Sequence, residues 1–190
     1  MMRLVALLAL LLLTGCATAG SVSQGPFKVG NVYQIVVGQQ WASLPSTLTS
    51  QRTGKFLTID GPDLNLLQLV AALKDKQPLI KERSKDNPVP KYRTDMSQTE
   101  IVEFVTDTLA TEGYQNIATQ ALRPQPFGTL GGVRFDLSAQ TPDGLNIKGT
   151  ALFAQRDEKL NLIVYLAPEE YYYGLHAAEI ERILGSVALL

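Results

Sequence analysis

The spacing of apolar and polar residues changes several times along this chain, and each change predicts an element. Val32-Tyr33-Gln34-Ile35-Val36-Val37 is rich in β-branched residues and reads as a strand, followed by Trp41 and a break at Pro45. Residues 54–59 alternate polar and apolar side chains and end in the turn Asp60-Gly61-Pro62-Asp63. Residues 64–73 are ambiguous: leucines and alanines favour helix and Asp63 could cap it, yet the run is short and closely follows a strand. Ser97-Gln98-Thr99-Glu100 is a capping-box pattern that opens a helix. Ile101, Phe104, Val105 and Leu109 fall on one face of it, Glu103 and Asp107 on the other, and Gly113 is the expected stop.

Strand candidates follow. Residues 116–122 form one, and 132–139 another, with Val133, Phe135 and Leu137 on one side and Arg134, Asp136 and Ser138 on the other. Pro142-Asp143-Gly144 signals a hairpin, 145–153 the returning strand, Arg156-Asp157-Glu158 a turn, and 160–166 a last strand. A C-terminal helix is predicted from Pro168, with Glu169 and Glu170 in its first turn at the positive end of its dipole. Tyr172, Tyr173, His176, Ile180, Ile183 and Val187 recur on one face of it, and Gly185 marks a stop or a close contact. One helix between two sheet regions and a second after the last strand predict an α+β sandwich, a mainly antiparallel sheet with helices packed on it. No second linker or repeat interrupts residues 26–190, which read as a single domain.

Ahead of this body the pattern is different. Arg3 precedes ten unbroken apolar residues, 4–13, which as a helix would span about 15 Å, half of a bilayer's ~30 Å core. The segment therefore reads as a signal peptide rather than a membrane span. Leu13-Thr14-Gly15-Cys16 resembles a bacterial lipobox, in which the thiol is alkylated by diacylglycerol, the chain is cut before the cysteine, and the new amino terminus is usually acylated. The resemblance implies a signal peptide over 1–15, lipidation of Cys16, and a membrane partner held through that lipid. Ala17 in place of Asp implies, by the sorting rule of Gram-negative lipoproteins, the outer membrane and a periplasm-facing body. The other reading is an ordinary secretory signal cut after Ala17 or Ala19. The small and polar run that follows makes residues 16–25 a lipidated flexible tether.

Composition narrows the classes further. Apolar residues at 45% and charged residues at 18% exclude a disordered, solvating chain. With 17 basic and 18 acidic side chains there is no basic excess to favour nucleic acid. One cysteine and one histidine exclude an internal disulfide and a standard zinc site. The basic residues of 74–93, among them Lys74, Lys76, Lys81, Lys91 and Arg93, are interrupted by acids and by Pro88 and Pro90, so a solvated loop is favoured over a patch for an anionic surface.

The body also resembles the PsbP/DcrB-type α/β/α sandwich, and more specifically uncharacterised bacterial lipoproteins of that broad class. The resemblance lies in Ile59-Asp60-Gly61-Pro62-Asp63-Leu64-Asn65, Pro88-Val89-Pro90-Lys91-Tyr92, residues 96–104, Gly131-Gly132-Val133-Arg134-Phe135, Tyr171-Tyr172-Tyr173 and Ile183-Leu184-Gly185-Ser186, over about 55–187. It implies strand rather than helix for 64–73. It also implies a binding or assembly-support protein, since the class shares no catalytic residues to carry over.

His176 is the one imidazole and so the acid–base candidate, beside Tyr172, Tyr173 and Glu179; on an apolar helix face a packing role is favoured. The run Gly128-Thr129-Leu130-Gly131-Gly132 precedes a strand and lacks the lysine of a phosphate loop, so it reads as a tight turn. Gly-x-Ser-x-Gly and His-Glu-x-x-His are absent from the sequence. Trp41, Tyr172, Tyr173 and His176 remain as a possible ligand or partner surface, with core packing favoured for the aromatics. The expectation is a lipid-anchored periplasmic protein without catalytic activity, metal or cofactor, binding an envelope protein or supporting envelope assembly or maintenance. The alternative is a carrier or sensor of a small apolar ligand between the sheet and the C-terminal helix.

Overall fold

The computed structural model describes residues 20–82 and 88–190; the expected signal peptide and Cys16 lie outside them. The order is β1 (Gly20–Val22), β2 (Gly25–Val29), β3 (Tyr33–Val37), β4 (Trp41–Ser43), β5 (Lys55–Thr58), β6 (Leu66–Leu73), α1 (Gln98–Thr111), β7 (Gln115–Pro124), β8 (Val133–Gln140), β9 (Asn146–Arg156), β10 (Lys159–Pro168), α2 (Tyr172–Leu175), α3 (Ala177–Gly185) and β11 (Ala188–Leu189). Eight strands form one antiparallel sheet in the order β1-β4-β5-β6-β10-β9-β8-β7, and β11-β3-β2 form a small second sheet.

The strand period of two assigns each side chain of the large sheet to one of two cores. Leu162, Val164 and Leu166 of β10, with Val133, Phe135 and Leu137 of β8, pack against Ile101, Phe104, Val105 and Leu109 of α1. Ile163, Tyr165 and Ala167 face the other way, onto β3 and onto Ile180, Ile183 and Leu184 of α3. The sheet is thus covered on both faces, by α1 on one and by the small sheet with α3 on the other. Central strands covered twice have no polar face to show. That explains why 64–73 carries no alternation although it becomes β6.

β6 also contains an irregularity. Val70 pairs with Leu162 but Leu73 with Leu160, so β6 bulges, and Ala72 takes φ 51°. The freed Ala72 N–H donates to Oδ1 of buried Asn161, at 2.9 Å. At α1 the capping box forms as expected: Ser97 Oγ accepts from Glu100 N, and the Glu100 carboxylate accepts from Ser97 N at 2.8 Å. The glycine-rich run is a turn, closed by reciprocal hydrogen bonds between Phe127 and Leu130. The loop across 74–93 is held by buried Leu79, Val89 and Tyr92 on either side of residues 83–87, which lie outside the described residues.

Two expectations are corrected. The C-terminal helix does not start at Pro168. β10 runs through Pro168, which pairs with Ile147, and Glu169 N–H extends the ladder to Asn146 O at 2.9 Å. Glu169 forms an ion pair with Lys148 at 2.7 Å instead of sitting in a helical first turn. The helix is two pieces, α2 and α3, meeting at His176, whose φ −104° and ψ 5° break the helical path. Of the tether expected over 16–25, Gly20–Val22 and Gly25 are strand instead. β1 pairs with β4, Gly20 opposite Ser43 and Val22 opposite Trp41, and Val22 packs on the second core.

Candidate functional site

Polar groups converge where the α2–α3 joint meets the ends of β3 and β5. Asn65 organises the β5–β6 turn: its Oδ1 accepts from Ile59 N at 2.7 Å and Thr58 Oγ1 at 3.0 Å, while its Nδ2 donates to Asp60 Oδ2 at 2.5 Å. The same Asp60 oxygen lies 2.6 Å from His176 Nε2. On the far side of the ring, Gln39 Nε2 lies 3.4 Å from Nδ1. An amide donor at Nδ1 assigns that nitrogen as acceptor and leaves Nε2–H to donate to Asp60. His176 is therefore tied at both nitrogens, joining the helix break to two loops distant in sequence.

One turn further along α3, Glu179 is only 6% exposed. Its Oε1 accepts from Gly38 N at 2.6 Å and Trp41 Nε1 at 3.3 Å, and its Oε2 from Arg182 Nη1 at 2.8 Å. Gly38 has no room for a side chain: a Cβ there would run into the Arg182 guanidinium and the Glu179 carboxylate. Trp41 is buried and belongs to the second core, its indole N–H turned to Glu179. Tyr173 packs 5.9 Å from the ring of Tyr165, and Tyr172 stands edge-on to Tyr171 at 5.1 Å. Tyr165 Oη is buried without a hydrogen-bond partner among the described residues, and burial, followed by the Asp60 charge and Tyr173, pushes its ionisation far upward. The structure thus brings Trp41 and His176 into one linked polar region, with Tyr172 and Tyr173 beside it on α2.

A second polar group, on β8, was legible only as an alternation. Arg134 is nearly buried; it donates to Thr150 Oγ1 at 2.8 Å and with both terminal nitrogens to Glu181 of α3, at 2.7 and 2.5 Å. Arg123 bonds Asp136 at 2.9 Å beside it. The Arg134 bond holds the Glu181 carboxyl below the usual range against the opposing effect of burial. Burial works against ionisation of Asp136, but bonds from Arg123 and Thr150 and the two arginine charges outweigh it, so its pKa is also lowered.

An open groove lies elsewhere. A groove of about 590 Å³ runs over the α1 face of the sheet, beside the 44–49 turn and the 141–145 hairpin. Phe56, Leu66, Ile147 and Leu166 contribute to its lining from β5, β6, β9 and β10, and Leu48, Leu145, Arg52, Asp63 and Asp143 also line it. Trp41, Tyr172, Tyr173 and His176 do not line it; they belong to the opposite face. The groove was not legible in the sequence because its lining comes from several separate segments; the Asp60-Gly61-Pro62-Asp63 turn and the Pro142-Asp143-Gly144 hairpin were marked, but only as turns. Among the described residues, no three His, Cys, Asp or Glu side chains are grouped to hold a metal ion. No helix among them is long and apolar enough to cross a membrane.

No family model matches this chain, and no curated protein matches it in sequence. Among solved structures it is similar to the solution structure of cyanobacterial PsbP (CyanoP) from Synechocystis sp. PCC 6803. That similarity has a TM-score of 0.57 and 11% identity over 93% of this chain and 95% of that one. The chain has a PsbP-like fold. At that identity the likeness concerns architecture alone.

Proposed function

We propose that this chain is a lipid-anchored, periplasm-facing binding protein, attached through Cys16, that carries out no catalysis. The observation behind the second half is how its acid–base groups are used. Both ring nitrogens of His176 are engaged by Asp60 and Gln39, and Glu179 is saturated by three donors, so these side chains join segments instead of facing a substrate. The anchor rests on Leu13-Thr14-Gly15-Cys16 following an apolar run too short to span a bilayer. Of the two ligand classes, an envelope protein and a small apolar molecule, the groove on the α1 face favours the second. On this reading the ligand lies across the sheet from Tyr172 and His176, not beside them as the sequence suggested.

Complementation of a deletion strain separates the parts of this reading. His176→Ala should restore the phenotype whenever the protein accumulates, and Cys16→Ser should not, although the chain is made. Loss of function in a folded, membrane-bound His176→Ala protein would argue for catalysis at that imidazole.

A further inference from the structure

We infer that the groove on the α1 face receives one acyl chain of a membrane lipid whose head carries an ammonium group, taken from the membrane to which the protein is tethered. This deepens the binding role and rests on the lipid-anchor reading.

Three observations carry it. The first is shape. The groove's volume of about 590 Å³ lies within the roughly 300–1,000 Å³ usual for small-molecule sites. Phe56, Leu66, Ile147 and Leu166 stand on the same face of four adjacent strands and give it a continuous apolar floor. Its lining also includes Leu48, 70% exposed, and Leu145, 39% exposed, two of the large apolar side chains open to solvent among the described residues.

The second is the position of Gly20. Gly20 pairs with Ser43, and the next residue, Leu44, lines the groove. Three residues separate Cys16 from Gly20, and the four Cα–Cα steps reach at most about 14 Å. A lipid on Cys16 therefore keeps this side of the sheet close to the bilayer.

The third is charge. Arg52 lines the groove but is paired with Glu112 at 2.6 Å. Asp63 and Asp143 remain there as exposed carboxylates. They attract an ammonium and repel a fatty-acid carboxylate or a head bearing only phosphate. Moving an acyl chain from the bilayer into this open groove gains no hydrophobic free energy, so the head contact and the fit decide occupancy. The groove samples lipid at the surface, with exchange back to the membrane.

The test uses the mature, full-length protein isolated from membranes and placed in nanodiscs with a trace of phosphatidylethanolamine carrying a photoactivatable group on one acyl chain. Cross-links should concentrate in 44–49 and 141–147. They should fall severalfold with Leu66→Trp, which fills the floor, and with the exposed substitution Leu48→Ser, which removes apolar lining without adding charge or touching the core. They should also fall severalfold when the same photoactivatable chain is carried by phosphatidylglycerol, and the Asp63→Asn/Asp143→Asn variant should erase that difference. Co-flotation with nanodiscs but labelling confined to the residues next to Cys16, or equal labelling of the groove by both lipids, overturns the inference alone. Failure to co-float overturns the anchor reading and the inference with it.

Discussion

Glu179 shows how one residue can look catalytic in composition and be structural in place. A buried carboxylate is costly to desolvate and persists only when donors surround it, as Gly38 N–H, Trp41 Nε1–H and Arg182 do here. Glu179→Ala would leave the first two donors unpaired and should lower unfolding free energy by roughly 2–4 kcal/mol. Glu179→Gln retains an acceptor oxygen and should cost less. Urea denaturation followed by Trp41 fluorescence measures both; equal costs would contradict the account. Gly38 and Trp41 were not legible as partners of position 179, because they lie about 140 residues away in sequence. His176 was legible as a packing residue from its apolar helical face, yet Asp60 as its partner was not. The sequence marks the Asp60-Gly61-Pro62 turn but not the segment it meets.

Elements were legible where a local rule suffices. The Ser97–Glu100 capping box, the alternation of β8 and the turn before β9 need only neighbours within a few residues. β6 is different: its leucines suit a helix, and its pairing with β10 on one side and β5 on the other decides the matter. The late start of the C-terminal helix has the same origin, since Pro168 and Glu169 complete the β9–β10 ladder before the chain turns. α3 is then fastened to β8 through Arg134 and Glu181, and this connection should respond to acid. Glu181 and Asp136 titrate below their unfolded values. Their contribution is therefore present above a pH of roughly 4 and is lost as pH falls through the lower, folded values. Thermal melts between pH 7 and 3 should show Tm falling in that range. In the Glu181→Gln/Asp136→Asn variant Tm should start lower and fall less steeply; an unchanged slope would contradict the role assigned to these groups.

Across the whole molecule, a sheet covered on both faces accounts for two cores within one chain of ordinary length. The layered architecture was readable from the order of strand and helix signals. The small second sheet was not, because β2 and β11 are short and gain their partners only when β3 lies beside them. The groove is likewise a property of the assembled sheet. What gives it meaning is the position of Gly20 beside it, opposite Ser43 and four residues after Cys16. The account therefore depends most on the chemistry of that cysteine. Intact-mass spectrometry of the protein from native membranes should find a chain lacking residues 1–15 and heavier than its sequence by a diacylglyceryl group, with the modification localised to Cys16. An unmodified chain beginning after Ala17 or Ala19, or one retaining residues 1–15, would contradict it.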